Sequence, residues 1–237
     1  MTSREDNYIE YGGFPEIALE KDALIRDKIL EEYFESLVYR DLAERHRMEN
    51  TPLLKDMLKN FFSATTLLFS VNAYYKTVKQ TLPVSRETIM DYFGKIRETG
   101  YFYFLPKFSW SLKEQRVNPH KIICLDLGMR NRVTLRFSKE EGRMAENLVG
   151  SMIARNEKPL YYWEGEQEVD FVSVGPKGLE AVNVTYGPTI PDREAESLIK
   201  FKKHWKRVNS LTLVTRDKEG SLGPIRCIPL WKWLLRR

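Results

Sequence analysis

No apolar run in this 237-residue chain reaches the roughly 18 residues that a membrane-crossing helix needs. No internal repeat or low-complexity linker interrupts it. Cysteine is scarce: Cys124 and Cys227 stand in the apolar stretches KIICLDL and IRCIPLW, outside any Cys-x-x-Cys pair. The 3 histidines are scattered without zinc spacing. These absences exclude a disulfide framework and a structural zinc site, and both cysteines read as buried, reduced thiols. The pattern G-x-x-x-x-G-K-[ST] is missing too, so the chain has no loop to cradle nucleotide phosphates and no ATP site. The opening MTSREDNYIE is polar and mixed in charge, unlike a signal or transit peptide, and the expected location is cytoplasmic.

What is present is an ordinary globular composition, 42% apolar and 30% charged, with a formal net charge of +5. That charge permits a polyanionic partner without demanding one. Its distribution says more. Residues 107–136 carry Lys107, Lys113, Arg116, Lys121, Arg130, Arg132 and Arg136 against Glu114 and Asp126. A second basic cluster is KFKKHWKR, residues 200–207.

Residues 21–48 have the apolar period of a helix with a wide buried stripe that includes Leu24, Ile25, Leu30, Phe34 and Leu42. Thr51-Pro52 starts a new helix. Three helices follow (PLLKDMLKNFFSATTLLF, NAYYKTVKQTL and SRETIMDYFGKIRET), then strand YFYFLPKF, a polar basic loop and return strand HKIICLDLG. That order describes a winged helix. Its third helix turns outward Arg86, Glu87, Asp91, Lys95, Arg97 and Glu98, which sum to zero charge, so the basic loop after Phe108 is the better contact for phosphates. Candidate nucleic-acid contacts are Arg86, Lys95, Lys107, Lys113, Arg116, Lys121, Lys200 and Lys203.

From residue 137 onward helices and strands alternate, and EQEVDFVSVGPKGLEAVNVTY forms a hairpin around a Gly-Pro-Lys-Gly turn. Its first strand carries Asp170. Metal-dependent phosphodiester cleavage needs carboxylates to hold Mg²⁺ or Mn²⁺ and a cation to steady the developing charge. Nucleases of the PD-(D/E)XK type set an Asp at one strand end and Glu-x-Lys on the next strand. Here Asn183 and Thr185 occupy the Glu and Lys slots, while Glu180 has the opposite parity. Glu146, on the helix before the hairpin, is a second carboxylate that can reach the cleft. The candidate site is therefore degenerate: Glu146 and Asp170 as metal ligands, Asp170, Asn183 and Thr185 in the catalytic positions, and no lysine in place. Lys200 or Lys203 is a candidate substitute. Asp170 reads equally as a strand-end carboxylate bonded to a backbone amide.

Taken in order, YGGFPE, ILEEYFESLVYRDLAER, VSRETIMDYFGKIRETGYFYFLPKF, AENLV, YYWEGEQEVDFV and DREAESLIKF resemble the C-terminal half of a family of archaeal and bacterial AAA-type ATPases. The resemblance implies a winged helix and a restriction-endonuclease-like domain of unknown function, following a P-loop module that this chain lacks. It implies that Glu146, Asp170 and the strand Asn183–Thr185 are the positions of interest, in a site that is often degenerate. The chain is then expected to be a fragment. The expected fold class is α+β to α/β: a helical segment at 1–50, a winged helix at 51–130 and a PD-(D/E)XK restriction-endonuclease-like α/β domain at 131–237. The expected function is ATPase-associated DNA binding without catalysis. The alternatives are a divalent-metal nuclease using Glu146 and Asp170, and a module that docks an ATPase domain or another protein.

Overall fold

The computed structural model describes residues 4–134, 140–155 and 158–235, so the predicted contact Arg136 lies outside the described residues. The chain is mixed α and β with two sheets, and it divides into two compact units. Unit 1 comprises residues 1–104 and 122–137; unit 2 comprises residues 105–121 and 138–237.

Unit 1 opens with α1 (Arg4–Tyr11), α2 (Pro15–Leu19) and α3 (Ala23–Ser36), and α3 continues as a π-helical stretch over Leu37–Glu44. Asp22 caps α3 by accepting the amides of Leu24 and Ile25. The buried stripe is narrower than the sequence suggests. Leu30, Phe34, Leu37, Val38 and Leu42 are buried, whereas Leu24 is 80% exposed and Ile25 46%. Both stand in the first turn of α3.

Next come α4 (Thr51–Ser63), β1 (Leu68–Phe69), α5 (Val71–Val78), α6 (Arg86–Glu98) and β2 (Phe102–Leu105). The first of the three expected helices stops at Ser63, and its apolar tail supplies β1 instead. Ser85 caps α6, whose Ile89, Tyr92 and Ile96 are buried. Phe61 forms the hub of an aromatic core, meeting Phe69, Phe102 and Phe104 edge-on at 4.8–5.6 Å. The loop expected after β2 contains a helix, α7 (Leu112–Val117), because Ser111 caps it through the Glu114 amide. Then β3 (His120–Cys124) completes a three-stranded sheet of order β1-β3-β2. The return strand ends at Cys124, since Asp126 caps α8 (Leu127–Val133) and also accepts the amide of Gly13 at 2.7 Å. Gly128 is required there: a Cβ would lie 2.1 Å from the Tyr11 carbonyl oxygen.

Unit 2 contains α9 (Glu141–Ala154), β4 (Leu160–Glu164), β5 (Glu168–Gly175), β6 (Gly178–Thr185), α10 (Asp192–His204), β7 (Val208–Thr215), β8 (Gly220–Leu222), β9 (Ile225–Pro229) and α11 (Leu230–Leu234). The sheet order is β4-β5-β6-β7-β9-β8. β4, β5 and β6 form an antiparallel meander, and β7 and β9 run parallel to β6. Leu198 and Phe201 of α10 pack on Val169, Leu179, Ala181, Leu211 and Leu213. The expected helix through Val208 ends at His204, and Arg207 takes a left-handed φ of 61° before β7. Residues 105–121 are fastened along β4: Phe108 donates its amide to the Tyr162 carbonyl at 2.6 Å, and the Tyr162 hydroxyl donates to the Pro119 carbonyl at 2.8 Å. Cys124 and Cys227 are both buried, and neither forms a disulfide among the described residues. No helix among the described residues is long and apolar enough to cross a membrane.

Candidate functional site

Asp170 sits where β5 and β6 part. Their backbone register runs from Gly175–Gly178 to Phe171–Val182 and stops there. One step further, Asn183 accepts the Asp170 amide on its side-chain Oδ1 at 3.1 Å, and Asp170 Oδ2 accepts the Val184 amide at 2.8 Å. Side chains thus replace the ladder at the strand end, and the Asp170 carboxylate is held at a fixed angle.

Lys121 faces this carboxylate. Its Nζ lies 2.8 Å from Glu146 Oε1, 2.6 Å from Glu168 Oε1 and 3.4 Å from Asp170 Oδ1, and the side chain is 2% exposed. The Phe171 ring lies beneath it at 5.7 Å. The Tyr162 bond to Pro119 anchors the chain just before Lys121. Sequence reasoning counted Lys121 among surface contacts for phosphate, but it is withdrawn among three carboxylates. A signal was available. It lay only in the strand itself: Ile122, Ile123 and Cys124 are all buried, so both faces of β3 are covered and a lysine there needs partners, but nothing local names them.

Burial opposes the charge on Lys121, but Glu146, Asp170 and Glu168 outweigh it and raise its pKa. Burial and the Asp170 charge push the Glu146 carboxyl up to about 8, against the pull of Lys121. Burial also raises Asp170, with Lys121 and the Val184 amide pulling the other way. Glu194 is raised by burial and by Asp170.

Asn183 and Thr185 do not complete a ligand set. Asn183 is buried and spends its amide on α10, donating to Ser197 Oγ at 2.7 Å and the Glu194 carbonyl at 3.3 Å. Thr185 is 8% exposed and lies opposite Thr215 in the parallel β6–β7 pair. Lys200 turns to Glu166 at 3.1 Å, and Lys203 is exposed on α10. Neither supplies the ammonium, which comes from Lys121.

A hard divalent cation needs several free oxygen donors. Here Asp170 Oδ2 and Asn183 Oδ1 are engaged by backbone amides, and the Lys121 ammonium faces Glu146 Oε1, Glu168 Oε1 and Asp170 Oδ1. Among the described residues no group of 3 or more acidic, His or Cys side chains is arranged to hold a metal. The Lys121 ammonium thus stands among the oxygens that Glu146 and Asp170 would offer to Mg²⁺ or Mn²⁺.

The other predicted contacts are dispersed. Arg86 donates to Asn72 at 2.8 Å, Lys95 pairs with Asp91 at 2.7 Å, and Lys107 lies 3.9 Å from Glu164. Within the basic run, Arg130 is 3% exposed and Arg132 pairs with Glu31 at 2.9 Å. Those two arginines therefore serve the fold of unit 1 and not a basic surface. Lys113 and Arg116, on α7, are exposed and have no ion pair among the described residues.

Residues 3–141 match the profile of a domain of unknown function, DUF8612. The chain belongs to the DUF8612 family. Beyond the DUF8612 match, residues 141–233 match a second domain of unknown function, DUF4143. An uncharacterised protein of Methanocaldococcus jannaschii is 32% identical over 250 residues, which cover 97% of this chain and 55% of that relative. An uncharacterised protein of Haemophilus influenzae is 22% identical over 233 residues, covering 97% of this chain and 57% of the relative. The chain thus spans little more than half the length of these relatives. No solved structure matches it.

Proposed function

We propose that the chain is a nucleic-acid-binding module without catalysis, the partner of an ATPase activity carried elsewhere. The order α4-β1-α5-α6-β2-β3 with sheet order β1-β3-β2 supports a winged helix. The order α9-β4-β5-β6-α10-β7, antiparallel and then parallel, supports a restriction-endonuclease-like unit. The ATPase association rests on the sequence resemblance, and the greater length of the relatives leaves room for such a module.

One contrast among the basic residues carries the reading. Lys113 and Arg116 stand exposed on the loop helix α7, with no ion pair among the described residues, where a wing would meet phosphates, while Lys121 is spent on the carboxylates. The cation that a nuclease would recruit is built into the protein as an ammonium. Such a centre holds Asp170 and Glu146 in place.

The same lysine favours one rival, a nuclease whose missing strand lysine is supplied by Lys121. Incubating labelled duplex and single-stranded DNA with Mn²⁺ separates the two. The expected result is binding in the micromolar range that weakens steeply with salt, and no cleavage. Cleavage that disappears in both Asp170→Ala and Lys121→Ala would establish the rival; absent binding to either DNA form would remove the proposal altogether.

A further inference from the structure

The segment around α7 carries more than the two cations of the proposed function. It is tied down from within: Ser109 Oγ accepts the Ser111 amide at 3.0 Å, and the Gln115 side-chain amide donates to the Ser109 carbonyl at 2.7 Å. Phe108, just before it, is buried against Phe201 and Trp205. Trp110 meets the Phe108 ring edge to face at 5.3 Å yet remains 68% exposed, so a face of its indole is open to solvent. Leu112 and Val117 are exposed as well.

At about 100° per residue, Leu112, Lys113, Arg116 and Val117 share one side of α7, and Gln115 takes the side toward Ser109. The acidic residue of the helix, Glu114, turns to the cavity that Lys107, Lys200 and Lys203 also line. The surface therefore combines an open indole held by a buried ring, two apolar side chains and two cations without an ion pair among the described residues. Its complement must alternate flat apolar faces with negative charge. An unpaired strand does so, with bases that stack on aromatic rings and phosphates between them for lysine and arginine. In a duplex the bases are already stacked on one another, and the indole gains nothing. A six-residue helix also offers too little area for a standard protein interface.

We propose that this surface takes single-stranded DNA, one base stacked on Trp110 and the flanking phosphates at Lys113 and Arg116, so that the chain prefers a single strand to a duplex. The inference rests on α7 as the nucleic-acid contact and specifies the form of DNA that it meets.

Anisotropy of labelled oligo(dT), oligo(rU) and a duplex of equal length, titrated with the whole chain at one salt concentration, tests the idea. Oligo(dT) should bind about tenfold more tightly than duplex and quench tryptophan fluorescence. Trp110→Ala should weaken oligo(dT) about tenfold and leave duplex affinity unchanged. Trp110→Phe, which keeps a stacking ring, should restore most of the affinity while losing the quenching. Trp110 is exposed, so both variants should fold, which circular dichroism checks. Oligo(dT) affinity unchanged in Trp110→Ala, or lost equally with duplex affinity, overturns the stacking surface and leaves DNA binding intact. Trp110-dependent strand binding accompanied by cleavage in Mn²⁺ has the reverse consequence: the surface stands and the non-catalytic reading falls. Trp110-dependent binding of oligo(rU) alone overturns the choice of DNA. No binding of any strand, with or without quenching by phosphatidylglycerol vesicles, overturns both.

Discussion

At Lys121 a single ammonium answers to three carboxylates, and the balance is settled by a proton. The Glu146 carboxyl is raised from its ordinary 4.5 to about 8. A group that binds its proton more tightly when folded stabilises the fold fully below its unfolded value and loses that contribution as pH rises through the folded one. Lys121 is raised from 10.5, so its own contribution stays in place up to that pH. Asp170 and Glu194 are raised as well, but both proteins compared below keep them, so the difference between the two across pH 5 to 9 reports Glu146. Wild-type stability should fall across this window by on the order of 3 kcal/mol more than that of Glu146→Gln, whose amide has no proton to lose. Urea unfolding of both proteins at pH 5, 7 and 9 measures it, and parallel curves would refute it. Asp170 was legible as a residue of interest because a carboxylate interrupts an apolar strand. Its partner was not, because Lys121 is 49 residues away in sequence. No local period reports a contact of that range.

Elements end where a particular residue stops them. Within the β5–β6 hairpin the two turn glycines look equivalent in sequence. Gly178 adopts φ 127°, and a Cβ there would lie 2.1 Å from the Arg207 carbonyl oxygen, whereas one on Gly175 would find its nearest atom at 3.6 Å. Gly178→Ala should therefore cost roughly 2–3 kcal/mol of stability and Gly175→Ala under about 1, since backbone strain at a wrong φ is of that size. Equal shifts in unfolding midpoint would contradict the assignment. The caps at Ser85 and the helical period of α6 and α10 were readable, being set by neighbours in sequence. The helix α7 inside a supposed loop was readable only through Ser111, and Leu24 was misread because periodicity marks an apolar face without saying what covers it.

Across the whole molecule, 38 basic residues against 33 acidic ones leave a modest surplus, so the placement of charge matters more than its sum. Much of the basic run is consumed internally, by burial of Arg130 and pairing of Arg132. If α7 carries the phosphate contacts, Lys113→Glu with Arg116→Glu should lower the slope of log affinity against log salt by about 2, whatever the DNA sequence. An unchanged slope would move the contact elsewhere. The sequence by itself determined the alternation of helices and strands, the hairpin with its single aspartate, the absence of a P-loop and the two lone cysteines, because each depends on residues close together in the chain. Only the tertiary structure decided which lysine meets Glu146 and Asp170, that Asn183 is tied to α10, and that Phe108 is buried against Phe201 while Trp110 stays open. Those facts follow from how strands pair and helices pack, which brings together side chains that the sequence keeps far apart.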